Sequence, residues 1–240
     1  MYKKIISFII VLIFLYLLFY LFPIYKGNSK AIFNNHQKLW AHRVLDFNDA
    51  NNKFSNFKGI EIDVFFETEK KVFDVRHHGE YRGNTLLDFL NNINDKELFL
   101  WIDLKNLNNN NVLAIRNRLN EIIDSGVSKE HLLIESKNIE LLEILQIEGF
   151  YVSYWLPTFN FIKSTYEVFQ VKNNLIKFKP NAISCSYHNI DFYSRKFPKY
   201  NLHCWTNGLE EGEDNLKVLK ISLRDNVKVI LVDFKNNFIQ

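Results

Sequence analysis

The sequence lacks the features that mark several common classes of protein. Two cysteines, Cys185 and Cys204, are too few for a disulfide framework, and their apolar surroundings favour small buried thiols. The formal net charge is only +3 and no basic stripe with interleaved aromatic residues occurs, so nucleic acid is not expected as a partner. There is also no glycine-rich phosphate loop, no Gly-x-Ser-x-Gly elbow and no internal repeat. These absences disfavour disulfide-rich, nucleic-acid-binding, P-loop and α/β-hydrolase proteins.

The start of the chain differs in composition from everything after it. An almost unbroken apolar run extends from Ile5 to Phe22 and is closed by Pro23. This length is close to the roughly 20 residues that a helix needs to cross the hydrocarbon core of a bilayer. No small-x-small cleavage site follows the run, which argues against a cleaved signal peptide. We therefore expect residues 1–23 to form an uncleaved single-pass membrane anchor, with the following domain outside the cytoplasm.

The rest of the chain has the composition of one globular domain, since 47% of all residues are hydrophobic and 24% charged. We expect a tether at residues 24–37 and a single α/β domain at residues 38–240. The strand-like apolar runs are Lys38–Leu45, Gly59–Phe66, Lys71–His78, Leu98–Lys105, His131–Glu135, Tyr151–Leu156, Ala182–Tyr187, Leu202–Thr206 and Val227–Phe234. The stretches with helical periodicity are Thr85–Ile93, Val112–Ser125, Ile139–Glu148, Thr158–Asn173 and Glu213–Arg224. This alternation favours a closed (β/α)₈ TIM-type barrel over an open doubly wound sheet.

Nine strand-like runs are one more than such a barrel uses. The surplus is explained if Lys71–His78 folds back beside Gly59–Phe66 through the polar turn Glu67–Lys70. We expect this hairpin to bring His77 opposite Glu61.

Acidic residues lie within the strand-like runs at positions that share a face. Alternate side chains of a strand point the same way, so Glu61 and Asp63 can chelate one hard cation. The same spacing puts Asp103 and Lys105 on one face near the end of a later run. Barrel active sites lie at the carboxyl ends of strands, and an ordinary salt bridge between Asp103 and Lys105 is the structural alternative.

Two histidine clusters flank the acidic pair along the chain. One is His42, which precedes Arg43, and the other is His77-His78. Imidazoles beside a bound cation are the groups that move protons during phosphate-ester cleavage. The combination predicts a metal-assisted phosphodiesterase.

Six segments carry a resemblance to a known family. These are Ala41-His42-Arg43, Gly59–Val64, Val75–His78, Ile102-Asp103-Leu104-Lys105, Leu202–Asn207 and Val229–Asp233. Together they resemble the glycerophosphodiester phosphodiesterase and phosphatidylinositol phospholipase C-like superfamily of TIM barrels, over about residues 38–234. The chain departs from the usual pattern at Val44, where the family has Gly, and at residues 46–49, where it has Pro-Glu-Asn-Thr. Asp103 replaces the usual Glu, as in the branch that contains spider-venom phospholipase D.

The resemblance implies a metal site and a proton-transfer pair. Glu61, Asp63 and Asp103 would hold Mg²⁺ or Ca²⁺. His42 and His77 would activate the nucleophile and protonate the leaving alkoxide.

The resemblance also implies contacts with the substrate. Arg43 and Lys105 would neutralise phosphate charge, and Trp205 would form a wall for the leaving group. The catalytic histidine of the second cluster is expected to be His77, with His78 as the alternative if the register follows the venom enzymes.

The expected function is therefore a membrane-tethered, metal-dependent phosphodiesterase that cleaves glycerophosphodiesters or phospholipid headgroups. One alternative is a phospholipase D-like or phospholipase C-like enzyme that uses a substrate hydroxyl and forms a cyclic phosphate. Another is a non-catalytic, membrane-tethered barrel that binds a ligand, because a fold alone does not imply chemistry.

Overall fold

The structure is a computed structural model, and it describes part of the chain in detail. The described residues are 2–24, 38–52, 55, 57–158, 164–206 and 213–233. Most of the predicted tether, residues 25–37, lies outside them, as do residues 159–163 of the predicted helix Thr158–Asn173 and Asn207 of the late motif.

The described residues form one sheet of nine strands. The strands are β1 Leu39–Ala41, β2 Gly59–Glu67, β3 Val72–Val75, β4 Phe99–Leu104, β5 Leu132–Ser136, β6 Tyr151–Trp155, β7 Ala182–Ser186, β8 Asn201–Trp205 and β9 Val227–Val232. All neighbours pair in parallel except β2 and β3, and β1 pairs with both β9 and β2. The result is the eight-stranded parallel barrel that the sequence predicts, with β3 as an extra strand.

Helices alternate with the barrel strands. They are α1 Tyr2–Leu21, α2 Phe47–Asn52, α3 Leu86–Asn92, α4 Val112–Asp124, α5 Ile139–Ile147, α6 Ser164–Phe178, α7 Ile190–Lys196 and α8 Glu213–Ser222. Helix α6 ends five residues later than the sequence pattern suggests. The sequence prediction missed α2 and α7 because helices of six and seven residues are too short to show a hydrophobic period.

The predicted hairpin is confirmed, although one contact expected from it is wrong. Strand β3 pairs antiparallel with β2, and the pairing ends where Val75 lies opposite Val64. The same register extends by one hydrogen bond, from Arg76 N–H to the carbonyl oxygen of Asp63 (3.0 Å), and the chain then leaves the strand. His77 consequently bonds to the carboxylate of Asp63 rather than lying opposite Glu61.

Large aromatic side chains fill the lower part of the barrel interior. Trp40, Trp101 and Tyr151 are each at most 1% exposed and pack in one apolar cluster. Gly59 makes room for them, because a Cβ atom there would lie 2.2 Å from the Trp40 ring. This packed floor leaves space for a site only toward the carboxyl ends of the strands.

A second, larger apolar layer lies between the strands and the helices. Helices α2 to α8 each contribute apolar side chains to this layer. In helix α4 the residues of the apolar face recur at helical spacing and are all buried, namely Val112, Ile115, Leu119 and Ile122. Burying each such side chain is worth about 1.5–3 kcal/mol. Cys185 and Cys204 lie in this layer as buried free thiols, as the sequence predicts.

Helix α1 projects from this domain. Among the described helices it is the one long and apolar enough, by length and composition, to cross a membrane, at Lys4–Leu21. Its large apolar side chains are mostly exposed to solvent.

Candidate active site

A pocket of about 50 Å³ opens at the carboxyl ends of the barrel strands. It is lined by His42, Arg43, Glu61, Asp63, His77, Asp103, Lys105, Glu135, Trp155, Trp205 and Leu231. All eight site residues named from the sequence are among them, so the fold gathers them at one place. His78 is not part of this lining.

Three carboxylates form the centre of the pocket. Oxygen atoms of Glu61, Asp63 and Asp103 lie within 4.8 Å of one another, and all three residues are buried. Strand register produces this arrangement, because Asp63 on β2 pairs directly with Asp103 on β4. The ammonium of Lys105 forms ion pairs with Asp63 and Asp103. The salt bridge that the sequence allowed is therefore present, but it faces a pocket and includes a second carboxylate.

Burial raises the pKa values of two of these carboxylates, and the charges of their neighbours add to the effect. Burial, followed by the charges of Asp63 and Asp103, raises the pKa of Glu61 well above its usual value. Burial also raises the pKa of Asp103 to about 6, against the opposing effect of Lys105. The pKa of Asp63 is lowered, because Lys105 and His77 together outweigh its burial. Three carboxylates and one ammonium leave two negative charges when fully ionised, which matches one divalent cation.

The donor set fits a hard divalent cation. Asp103 Oδ1 is buried, and no hydrogen-bond partner reaches it within the described part of the chain. Such an oxygen is costly to bury unless a cation or another donor faces it. Carboxylate oxygens are the ligands that Mg²⁺ and Ca²⁺ prefer.

His42 is oriented by a carboxylate from the last strand. Its Nδ1 atom lies 2.7 Å from Asp233 Oδ1, and its Nε2 atom lies 3.8 Å from Glu61 Oε2. A carboxylate on Nδ1 fixes the proton there and leaves Nε2 free to exchange a proton in the pocket. Asp233 belongs to the segment Val229–Asp233 that resembles the family, but it was given no role from the sequence.

Arg43 holds the neighbouring carboxylate through its backbone. Its N–H donates to Glu61 Oε2 (2.8 Å), and its φ of 56° lies in the left-handed region. A non-glycine residue in that region costs of the order of 1 kcal/mol. The family pattern places glycine one position later, at Val44.

His77 Nδ1 bonds to Asp63, so the imidazole is tied to the carboxylate cluster. Its ring contacts that of His78, with the centroids 3.8 Å apart. Of the two histidines, His77 lines the pocket.

Glu135 adds a fourth carboxylate that the sequence analysis left without a role. It lies beside Asp103 in the β4–β5 register and is buried. Trp101 Nε1 donates to it (3.0 Å), as does the hydroxyl of Ser184. Burial and then the charge of Asp103 raise its pKa well above the usual value. Glu135 thus forms the polar base of the pocket.

Two tryptophans form the opposite wall. Trp205 packs edge to face on Trp155, with ring centroids 5.1 Å apart. Lys105 Nζ lies 5.4 Å from the Trp155 ring centre, so the cation that faces the carboxylates also contacts this wall. Trp205 was expected from the sequence, whereas Trp155 was not.

Comparison with known proteins identifies the same architecture elsewhere. No protein-family model and no curated protein matches the sequence. Among solved structures, the chain is similar to the glycerophosphodiester phosphodiesterase of Thermotoga maritima, with TM-score 0.54, 15% identity, and coverage of 84% of this chain and 96% of that one. It is also similar to an Oleispira antarctica phosphodiesterase in complex with its product sn-glycerol-3-phosphate, with TM-score 0.58, 12% identity and coverage of 82% and 93%. A Galdieria sulphuraria protein assigned as a glycerophosphodiester phosphodiesterase has TM-score 0.59, 15% identity and coverage of 86% and 96%. At identities this low, the similarity of these structures establishes a shared barrel fold.

Proposed function

We propose that the protein is a metal-dependent phosphodiesterase of the glycerophosphodiester phosphodiesterase superfamily. The observation that carries the proposal is the meeting of three carboxylates, two histidines and two cationic side chains in one pocket at the carboxyl ends of the strands. A non-catalytic barrel would have no need to hold together carboxylates whose pKa values are raised by burial and, to a smaller extent, by one another's charge. The solved structures of phosphodiesterases with the same fold support this choice.

The metal would be held by Glu61, Asp63 and Asp103. A bound Mg²⁺ or Ca²⁺ supplies positive charge that stabilises the developing charge on phosphate oxygens. Arg43 and Lys105 bind the same phosphate, Arg43 through its planar guanidinium and Lys105 as a point charge. The phosphate would thereby be held in the pocket that both histidines line.

The two histidines carry the protons of the reaction. One neutral imidazole accepts a proton from the attacking hydroxyl as the new P–O bond forms, and the other, protonated, donates to the leaving alkoxide as the old P–O bond breaks. His42 is prepared for either task, because Asp233 holds its Nδ1 proton and leaves Nε2 facing the pocket. His77 is tied through Nδ1 to Asp63.

The attacking hydroxyl belongs either to water or to the substrate itself. Water gives a phosphomonoester and an alcohol, whereas a substrate hydroxyl gives a cyclic phosphate. The replacement of Glu by Asp at residue 103, shared with the venom phospholipases D, keeps the second reaction open.

The apolar helix α1 supports a membrane-tethered enzyme. We place the domain outside the cytoplasm, with glycerophosphodiesters or phospholipid headgroups as substrates.

Phosphorus NMR of the full-length protein with glycerophosphocholine and lysophosphatidylcholine tests the proposal. We expect turnover with Mg²⁺ or Ca²⁺ and none in EDTA, and the chemical shift of the product separates a monoester from a cyclic phosphate. Asp103→Asn should abolish turnover, while Asp124→Asn, at an exposed carboxylate at the end of α4, should leave it unchanged. Undiminished turnover in EDTA would overturn the metal assignment, and no turnover on any phosphodiester would overturn the function.

A further inference from the structure

The last turns of α1 are attached to the barrel domain. Tyr16 and Phe19 both pack on Phe169 of α6, with ring centroids 5.7 Å and 5.2 Å apart. Ile24 N–H, just after the helix, donates to the carbonyl oxygen of Lys196 at the end of α7 (3.0 Å). The anchor therefore contacts two adjacent helices of the barrel.

Two lysines bind the carboxyl end of α1. Lys172 Nζ donates to the carbonyl oxygens of Phe19 and Phe22, and Lys196 Nζ donates to that of Leu21 (3.1 Å). Both cations thus meet the negative end of the helix dipole and its unsatisfied carbonyls. Lys172 is only 1% exposed with α1 in place, so its contact with the end of α1 is a buried one.

The order of these contacts gives the direction of α1. Helices of a β/α barrel run opposite to the strands, so α6 and α7 start at the carboxyl-end face and end at the opposite face. As α1 proceeds, it meets Phe169 first, then Lys172 further along α6, and then Lys196, the last residue of α7. Helix α1 therefore runs in the same direction as α6 and α7. Its amino-terminal half must project beyond the carboxyl-end face, which carries the pocket.

The length of the projecting part limits the distance between the pocket and a bilayer. The helix before Tyr16 is exposed. At 1.5 Å per residue, residues 2–15 span about 21 Å. The hydrocarbon core is about 30 Å thick, so the projecting part is too short to cross it alone, and a membrane-spanning α1 would hold the carboxyl-end face against the bilayer.

A second cavity on the same side of the barrel suits a lipid. It has a volume of about 370 Å³ and is lined by Lys137, Tyr154, Trp155, Leu156, Pro157 and Thr158. Trp155 is shared with the catalytic pocket, and Lys137 Nζ lies 4.1 Å from its ring centre. Tyr154 bonds to Asn174 of α6, so this cavity lies beside the helix that holds the anchor.

We infer that the catalytic pocket faces the bilayer into which α1 inserts, and that its substrate is a phosphodiester headgroup of a lipid in that bilayer. The inference rests on the proposed function for the reaction and on the attachment of α1 for the orientation. The phosphate enters the pocket, while the adjacent apolar cavity takes the glyceryl or acyl part of the same lipid.

Labels at the two ends of α4 test the orientation without any activity. Asn109→Cys precedes α4 at the carboxyl-end face, and Ser128→Cys follows it at the opposite face; both sites are exposed, whereas Cys185 and Cys204 are buried. The full-length protein in phosphatidylcholine vesicles is labelled with a donor dye, and energy transfer to an acceptor on the lipid headgroups is measured. We expect much stronger transfer from residue 109 than from residue 128. Equal transfer, or stronger transfer from residue 128, overturns the orientation.

Detaching the anchor tests the consequence for the substrate. Lys172→Ala removes the buried cation, and Lys177→Ala is the matched control, because Lys177 lies on the same helix and is largely exposed. Lys172→Ala should reduce turnover of lysophosphatidylcholine in the protein's own vesicles by about tenfold or more, because the pocket is no longer held facing the bilayer, and should leave turnover of soluble glycerophosphocholine within about twofold.

An equal loss on both substrates, or no loss on either, overturns the inference. If the wild type cleaves neither substrate, the proposed function and the lipid substrate fall together, and the labelling result alone decides the orientation.

Discussion

Replacing Asp103 with asparagine should stabilise the metal-free protein while it removes the activity. The pKa of Asp103 is about 6 in the folded protein, mainly because of burial, against an ordinary value of 3.8. Below pH 3.8 the carboxyl is protonated in both folded and unfolded chains. Between that pH and about 6 only the folded chain keeps the proton, so the contribution of Asp103 to stability is lost as the pH rises.

The size of this effect follows from the two pKa values. A difference of about two pH units is worth ~3 kcal/mol at 1.36 kcal/mol per unit. Asp103→Asn removes the charge and keeps a polar neighbour for Lys105. In EDTA at pH 8 the variant should therefore be more stable than the wild type by up to ~3 kcal/mol, and the gain should shrink toward zero near pH 4.

Urea unfolding followed by circular dichroism measures this difference at several pH values. Asp124→Asn is the control and should change the free energy of unfolding by no more than about 0.5 kcal/mol. Adding Mg²⁺ or Ca²⁺ at about 1,000 times its Kd should reverse the ranking, because a bound ion then stabilises the wild type by about 4.1 kcal/mol, which exceeds the gain of the variant. A variant that is less stable than the wild type in EDTA at pH 8 would refute the view that the three carboxylates are crowded around a cation site.

Three other predictions concern the remaining parts of the site and the barrel interior. Asp233→Asn should lower kcat by about 10²–10⁴-fold, because His42 loses the partner that fixes its tautomer, and unchanged kcat would contradict this role. His42→Ala and His77→Ala should each lower kcat by about 10²–10⁴-fold, and the losses should be non-additive in the double variant, while His78→Ala should change kcat little. A steady-state assay in which His78→Ala is the more damaging of the two changes at residues 77 and 78 would show that the register follows the venom enzymes. Burial lowers the pKa of His203 to about 3 from 6.5. The stability that His203 contributes is therefore present above pH 6.5 and falls by about 5 kcal/mol as the pH drops toward 3. In the His203→Leu variant, the free energy of unfolding should fall less steeply over this pH range.

The sequence predicts the barrel well because its strands are short apolar runs between polar turns. Strands β4 to β9 each lie within about two residues of the predicted runs. The hairpin was also found, since Glu67–Lys70 is a polar turn between two such runs. Strand β1 was predicted too long, because only Leu39–Ala41 pairs with neighbours before the chain turns into the pocket.

The site was predictable where one strand carries two of its members. Alternation along β2 brings Glu61 and Asp63 to one face, whatever the details of the fold. The contact between His42 and Asp233 joins residues 191 positions apart, and the sequence around either residue does not predict it. The place of Glu135 in the site could not be predicted either, because its pairing with Asp103 depends on the register between β4 and β5.

The way the barrel closes bears on the order in which the chain folds. Strands β1 and β2 pair at only one position, Ala41 with Ile60, supplemented by a hydrogen bond from Val44 N–H to the Glu61 carbonyl oxygen (2.9 Å). The other side of β1 pairs with β9, almost two hundred residues away in sequence. Loop-closure entropy makes such a contact late, since it is favourable only after the intervening βα units have collapsed. The two residues that follow β1 are His42 and Arg43, so we expect the proposed active site to be assembled by the last step of barrel closure, and a chain arrested before that step to be compact but without this pocket.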